Sequence, residues 1–255
     1  MYSEALFQFE RLLKIMDELR EKCPWDKKQT METLRHLTIE ETFELSDSII
    51  DGDLNEIKKE LGDILLHVVF YSKIGEEKKA FEISDVISSL CEKLIFRHPH
   101  VYGNVEVSGE EEVKENWEKL KLKEGNKSVL GGVPKSLPSL LKAVRIQDKA
   151  RSAGFDWDNK DQVWEKVLEE LDELKHEVEN NNKEKMEEEL GDVIFSIINY
   201  ARFIDINPDD SLEKTNKKFI KRFQYIEQEA NKINKSLSDM SLTEMEIFWQ
   251  QSKSK

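Results

Sequence analysis

One acidic phrase occurs twice in the chain, and it constrains the fold more than any other feature. Glu40-Glu41-Thr42-Phe43-Glu44 is followed by Glu60-Leu61-Gly62-Asp63, and Glu169-Glu170-Leu171-Asp172-Glu173 by Glu189-Leu190-Gly191-Asp192. Glu41 to Glu60 spans 19 residues, and so does Glu170 to Glu189. Residues three apart on a helix share a face. Glu41/Glu44 and Glu60/Asp63, and likewise Glu170/Glu173 and Glu189/Asp192, therefore each aim two carboxylates one way. If the two helices of a copy fold back as a hairpin, four carboxylates converge. They share a small space only if protonated or bound to a cation. A hard, oxygen-seeking metal such as Mg2+ is the natural occupant.

The spacing of apolar residues and breakers predicts an all-α chain. Helices are expected over 5–20, 30–50, 54–74, 83–97, 140–152, 161–179, 184–204 and 209–235. A further helix opens at Ser108 with Glu111 as its capping partner and runs through Trp117. A last short helix carries Trp249 and starts at Ser241 and Glu244. The stretch 98–103 reads as irregular. The apolar run from Ile64 to Tyr71 reads as a buried helix segment. Only five prolines and ten glycines interrupt the 255 residues, and the densest group of breakers lies between Lys123 and Pro138. This predicts domains at 1–123 and 139–255 joined by a linker at 124–138. The repeat extends beyond the acids. Trp25-Asp26 is echoed by Trp157-Asp158, Lys93 and Arg97 by Lys218 and Arg222, and Trp117 by Trp249. The separation drifts from 125 to 132 residues, which fits a tandem duplication and not a solenoid.

The formal charge of −14 makes the chain a poor general binder of nucleic acid or anionic membrane. Two cysteines, Cys23 and Cys91, fit buried free thiols in a reducing compartment better than a disulfide framework. No leader-like basic segment or membrane-length apolar run is present, so a cytoplasmic protein is expected.

Acidic helix faces are usually just solvated. Here the acids recur at fixed spacing and are flanked by apolar residues (Phe43, Leu45, Leu61, Ile64 and Leu65; then Leu171, Leu174, Leu190, Val193 and Ile194), so they border a packing face. Gly62 and Gly191 cost each helix about 1 kcal/mol against alanine, for either close helix contact or ligand room. Lys218 and Arg222 are surface charges or phosphate ligands. Trp117 and Trp249 are core anchors or stacking platforms. His98 and His100 recur nowhere in the second half and read as structural. No P-loop or dinucleotide fingerprint is present.

The ordered set of EExxE, ExxD, Cys23-Pro24-Trp25-Asp26, the 98–103 segment His-Pro-His-Val-Tyr-Gly, Gly154-Phe155-Asp156-Trp157, and the run from Thr215 through Arg222 and Phe223 resembles the MazG family. These are nucleoside triphosphate pyrophosphohydrolases of the all-α NTP pyrophosphatase superfamily. The resemblance covers nearly the whole chain. It implies tandem helical-bundle domains and hydrolysis of NTPs or dNTPs to monophosphate and pyrophosphate with Mg2+, for which Mn2+ can substitute. It also implies a homodimer. By this likeness Glu170, Glu173, Glu189 and Asp192 hold metal, with Glu41, Glu44, Glu60 and Asp63 as a weaker second site. Glu169, Glu170 and Glu173 are the implied catalytic set, with Glu169 either orienting water or supporting the metal ligands from behind. Lys166, Lys185, Glu188, Lys218, Arg222 and Trp249 are the implied nucleotide contacts. Aligning the acid motifs sets Glu56 opposite Lys185, which places catalysis in the second half. The alternatives are a related hydrolase on the same scaffold, selective for dNTPs or phosphoribosyl-ATP, and a non-catalytic helical regulator or interaction module.

Overall fold

The computed structural model describes residues 2–109, 112–113, 116–117, 120 and 128–254. The described residues form ten α-helices and no strand. The chain divides into two compact units, Met1–Val113 and Lys114–Lys255, ahead of the breaker-rich stretch. Residues 123–127 of that stretch lie outside the described residues, and Leu130–Gly132 makes a 3-10 turn. Glu111, the expected capping partner of Ser108, also lies outside them. Ser108 bonds Glu112 instead, through its backbone N–H at 2.8 Å and its hydroxyl at 2.7 Å.

The first unit contains α1 (Ser3–Lys22), α2 (Met31–Asp51), α3 (Leu54–Glu77), α4 (Ile83–Arg97) and the single turn α5 (Pro99–Tyr102). That turn corrects the irregular reading of 98–103. Proline at a first helical position starts a turn readily, and Val101 and Tyr102 N–H groups both reach the His98 carbonyl. The second unit contains α6 (Ser139–Ser152), α7 (Lys160–Glu179), α8 (Lys183–Phe203), α9 (Pro208–Lys232) and α10 (Leu242–Ser252). Helix α9 stops short of the expected 235. Asn234 takes a left-handed conformation (φ 52°), and the Lys235 N–H turns back to the Ala230 carbonyl.

The duplication extends to backbone detail. At α2–α3, Gly52 (φ 71°) is left-handed and Asp53 caps α3 by accepting from the Asn55 and Glu56 N–H groups. At α7–α8, Asn181 (φ 54°) is left-handed and Asn182 caps α8 by accepting from the Lys185 N–H. Each pair therefore folds back as a hairpin through the same turn.

In the first unit Met16, Leu34, Val69, Phe70 and Ile74 form the core. A polar bridge joins α2 to α3. His67 Nδ1 lies 2.8 Å from the Thr38 hydroxyl, which is 2.7 Å from the Tyr71 hydroxyl. The Thr38 hydroxyl donates to the Leu34 carbonyl, so His67 and Tyr71 donate to Thr38. In the second unit Val163, Val167, Val193, Ile198, Ile226 and Ala230 are buried. The Ile64–Tyr71 run is buried only in part: Val69 and Phe70 face the core, while Leu65 and Val68 are exposed. A helix turns successive residues through 100°, so a continuous apolar run must present some side chains outward unless a neighbour covers them. Cys91 is likewise exposed, contrary to expectation, and Cys23 is half-buried; both are free thiols.

Candidate active site: two acid clusters on helical hairpins

Each hairpin gathers three carboxylates. Glu41, Glu60 and Asp63 form one trio, and Glu170, Glu173 and Glu189 the other, each offering oxygens within 4.8 Å of one another. Of the four acids the sequence pointed to in each half, Glu44 falls outside the first trio and Asp192 outside the second. Glu60 and Glu170, at 3% and 6% exposure, are the buried members. A buried carboxylate needs a cation or donors around it. Glu170 meets Lys166 at 2.5 Å, and Lys166 also bonds Glu169 at 2.9 Å. Glu60 meets Lys59 at 3.4 Å, and Lys59 also holds Glu56 at 3.1 Å.

The electrostatics show strain among like charges. Burial, then the Asp63, Glu44, Glu60 and Glu40 charges, pushes Glu41 above the usual carboxylate range. Burial, then Glu170 and Glu189, raises Glu173, with Lys166 opposing. The bonds to Glu169 and Glu170 hold Lys166 firmly cationic. One lysine against three carboxylates leaves negative charge uncompensated in each trio. The all-oxygen donor set suits a hard divalent cation such as Mg2+.

The second trio borders a cleft of about 520 Å3. Its acidic lining is Glu169, Asp172, Glu173, Glu177 and Glu189, and its basic or neutral polar lining is Lys185 and His176. Glu188, exposed on α8, and Lys166 do not line it. Lys218, Arg222 and Trp249 do not line it either. They sit together on α9 and α10, where Arg222 lies over the Trp249 ring at 5.5 Å and Phe219 packs on Trp249 at 5.1 Å. His176 escaped the sequence reading. Its signal was available in the alignment of the two acid phrases, which sets it opposite Asp47.

Among the described residues, a Cβ built at Gly62 or Gly191 meets no heavy atom within 4 Å beyond its chain neighbours and its own helix backbone. Close helix contact inside the protomer is therefore not their reason, and open space beside the acids remains.

Duplicated helical hairpins, each with a carboxylate trio that could hold a metal ion, define the class as an all-α protein built from two related units. Comparison with known proteins narrows the class. The MazG nucleotide pyrophosphohydrolase domain matches residues 29–102 and 159–226. A nucleoside triphosphate pyrophosphohydrolase/pyrophosphatase MazG of Thermotoga maritima is 42% identical over 255 residues, spanning 98% of this chain and 97% of its own. A nucleoside triphosphate pyrophosphohydrolase of Escherichia coli is 38% identical over 255 residues, spanning 96% and 97%. The crystal structure of a mazG-related protein from Thermotoga maritima matches with 26% identity and a TM-score of 0.40, over 44% of this chain and 98% of that one. The chain belongs to the MazG family of nucleotide pyrophosphohydrolases.

Proposed function

We propose that the chain hydrolyses nucleoside triphosphates, ribo- or deoxyribo-, to the monophosphate and pyrophosphate, with catalysis in the second unit. The observation that carries this is the Glu170–Glu173–Glu189 trio opening onto a cleft that Lys185 also lines. The matching place in the first half holds Glu56, tied to Lys59. The first trio then serves weak metal binding, regulation or scaffolding.

Glu170, Glu173 and Glu189, with Asp192 one turn on, would hold Mg2+ or Mn2+. When bound, the ion supplies positive charge to the triphosphate oxygens. Glu169, exposed at the mouth and steadied by Lys166, orients a water and accepts its proton. The water oxygen bonds to the α-phosphorus as the bond to the α,β-bridging oxygen breaks, and pyrophosphate leaves with the electron pair. Lys185 faces the phosphates, and Lys166 keeps Glu169 and Glu170 placed. Lys218, Arg222 and Trp249 lie off the cleft within one chain, which supports their delivery by a second copy in a homodimer. The net charge of −14 speaks against nucleic acid as a partner. No described helix is long and apolar enough to cross a membrane, and we place the activity in the cytoplasm.

Pyrophosphate release from an NTP panel tests the reading. Turnover should vanish with chelator and return on adding Mg2+ or Mn2+. Full turnover in metal-free protein would refute it.

A further inference from the structure

His176 and Lys185 face the same cleft from opposite sides of the hairpin turn. Among the described residues neither side chain makes a hydrogen bond or ion pair, although five carboxylates line the cleft with them. Aligned on the acid phrases, both positions differ in the same sense between the halves. His176 replaces Asp47, and Lys185 replaces Glu56. The second half thus exchanges two acids for two donors at one end of its hairpin, leaving the acid phrase intact.

Helix stability does not account for Lys185. It lies in the first turn of α8, which begins at Lys183, where the helix dipole disfavours a cation. The aligned Glu56, in the first turn of α3, obeys that preference. A lysine placed against the dipole, unpaired and facing a cleft, points to a ligand anion. His176 lies three residues beyond Glu173, and Lys185 four before Glu189. Both are therefore about one helical turn, ~5.4 Å, from the metal-holding carboxylates. This displacement suits phosphates next along the chain from one held at the trio.

We propose that His176 is a substrate-binding residue that, with Lys185, holds the terminal two phosphates of the nucleotide and hence the departing pyrophosphate. This rests on the second-unit cleft being the hydrolytic site. The imidazole N–H donates to a terminal phosphate oxygen, and the lysine supplies a point charge beside it. The first half, with Asp47 and Glu56 there, repels the same group.

The test uses the full chain with Mg2+ and inorganic pyrophosphate as probe. Calorimetry gives pyrophosphate affinity, and steady-state kinetics give inhibition by pyrophosphate and by the monophosphate. His176→Ala and His176→Asp should each weaken pyrophosphate binding and inhibition by about tenfold or more, the Asp variant further, with monophosphate inhibition unchanged. His176→Gln, which keeps an N–H donor, should recover part of the loss. The side chain is exposed, so melting temperatures should match wild type. Glu173→Gln, run alongside, separates the two readings. If it is inactive while the His176 variants bind pyrophosphate like wild type, the His176 assignment falls and the cleft stands. If Glu173→Gln turns over normally, or wild type binds no pyrophosphate, the cleft assignment and this one fall together.

Discussion

Glu173 and Glu44 occupy equivalent places in the two acid phrases, yet only Glu173 joins a carboxylate trio. Glu173→Gln should therefore lower kcat/KM for NTP hydrolysis by at least about 100-fold, since even supporting residues around a metal commonly cost 10- to 100-fold. Glu44→Gln should leave most activity, measured in the same assay. The raised pKa of Glu173 also has a sign. Burial and its neighbours make the ionised form less favourable in the folded protein than in the unfolded one. The resulting penalty is absent below the unfolded value and grows as pH rises through the folded one. A bound divalent cation relieves it, whereas protons compete with the cation as pH falls. Stabilisation of the protein by Mg2+, read as a shift in melting temperature, should be larger near pH 7 than near pH 5. An equal shift at both would show that Glu173 is not a ligand.

Elements were the most legible part of the sequence, because helix ends obey local rules. Thr30, Asp53, Asn159, Asn182, Asn207 and Ser241 each accept backbone N–H bonds at a helix start. Side chains with an oxygen close to their own backbone do this irrespective of tertiary context. Period and spacing pointed to four converging acids in each half, whereas three gather in each, without Glu44 and Asp192. Less legible was anything set by contact between elements. Periodicity cannot separate Leu65, which is exposed, from Leu66, which packs on the core. Nor could it place Lys218 and Arg222 away from the cleft, since that depends on how α9 lies against α8. The final helix offers a test at this scale. Ser241 and Glu244 form a reciprocal cap, and Glu244 also pairs with Lys235 at 2.7 Å. The Lys235 bond, followed by the Ser241 backbone and hydroxyl bonds, lowers the Glu244 carboxyl to about 2 from an ordinary 4.5. Its stabilisation is fully present above 4.5 and is lost as pH falls towards 2. Glu244→Ala should melt below wild type near neutral pH, and thermal scans should show the gap closing through that acid window.

At the scale of the whole molecule, the second unit exposes apolar side chains in helical register. Trp164, Leu168 and Leu171 project from α7, and Leu190, Ile194 and Ile197 from α8, each 42–50% exposed. Fully burying one large apolar side chain is worth about 1.5–3 kcal/mol, so leaving six in water forgoes a large driving force. The same hairpin carries the acid trio, and Gly191 opens space beside it. A second copy laid against this face would bury the stripe and bring its own cationic helix towards the cleft. The combined substitution Leu168→Asp and Ile194→Asp should leave the folded protomer intact, because exposed positions usually shift stability by no more than about 0.5 kcal/mol. It should move the protein from twice the chain mass to 30.0 kDa in light scattering and lower NTP turnover with it. Gly191→Ala sharpens the test. In a lone chain the methyl meets open space and gains about 1 kcal/mol of helix propensity, whereas in an interface it weakens assembly. If the double variant keeps the wild-type mass and turnover, this face is not where copies meet, and Lys218, Arg222 and Trp249 must reach the phosphates, if they do, by rearrangement within one chain.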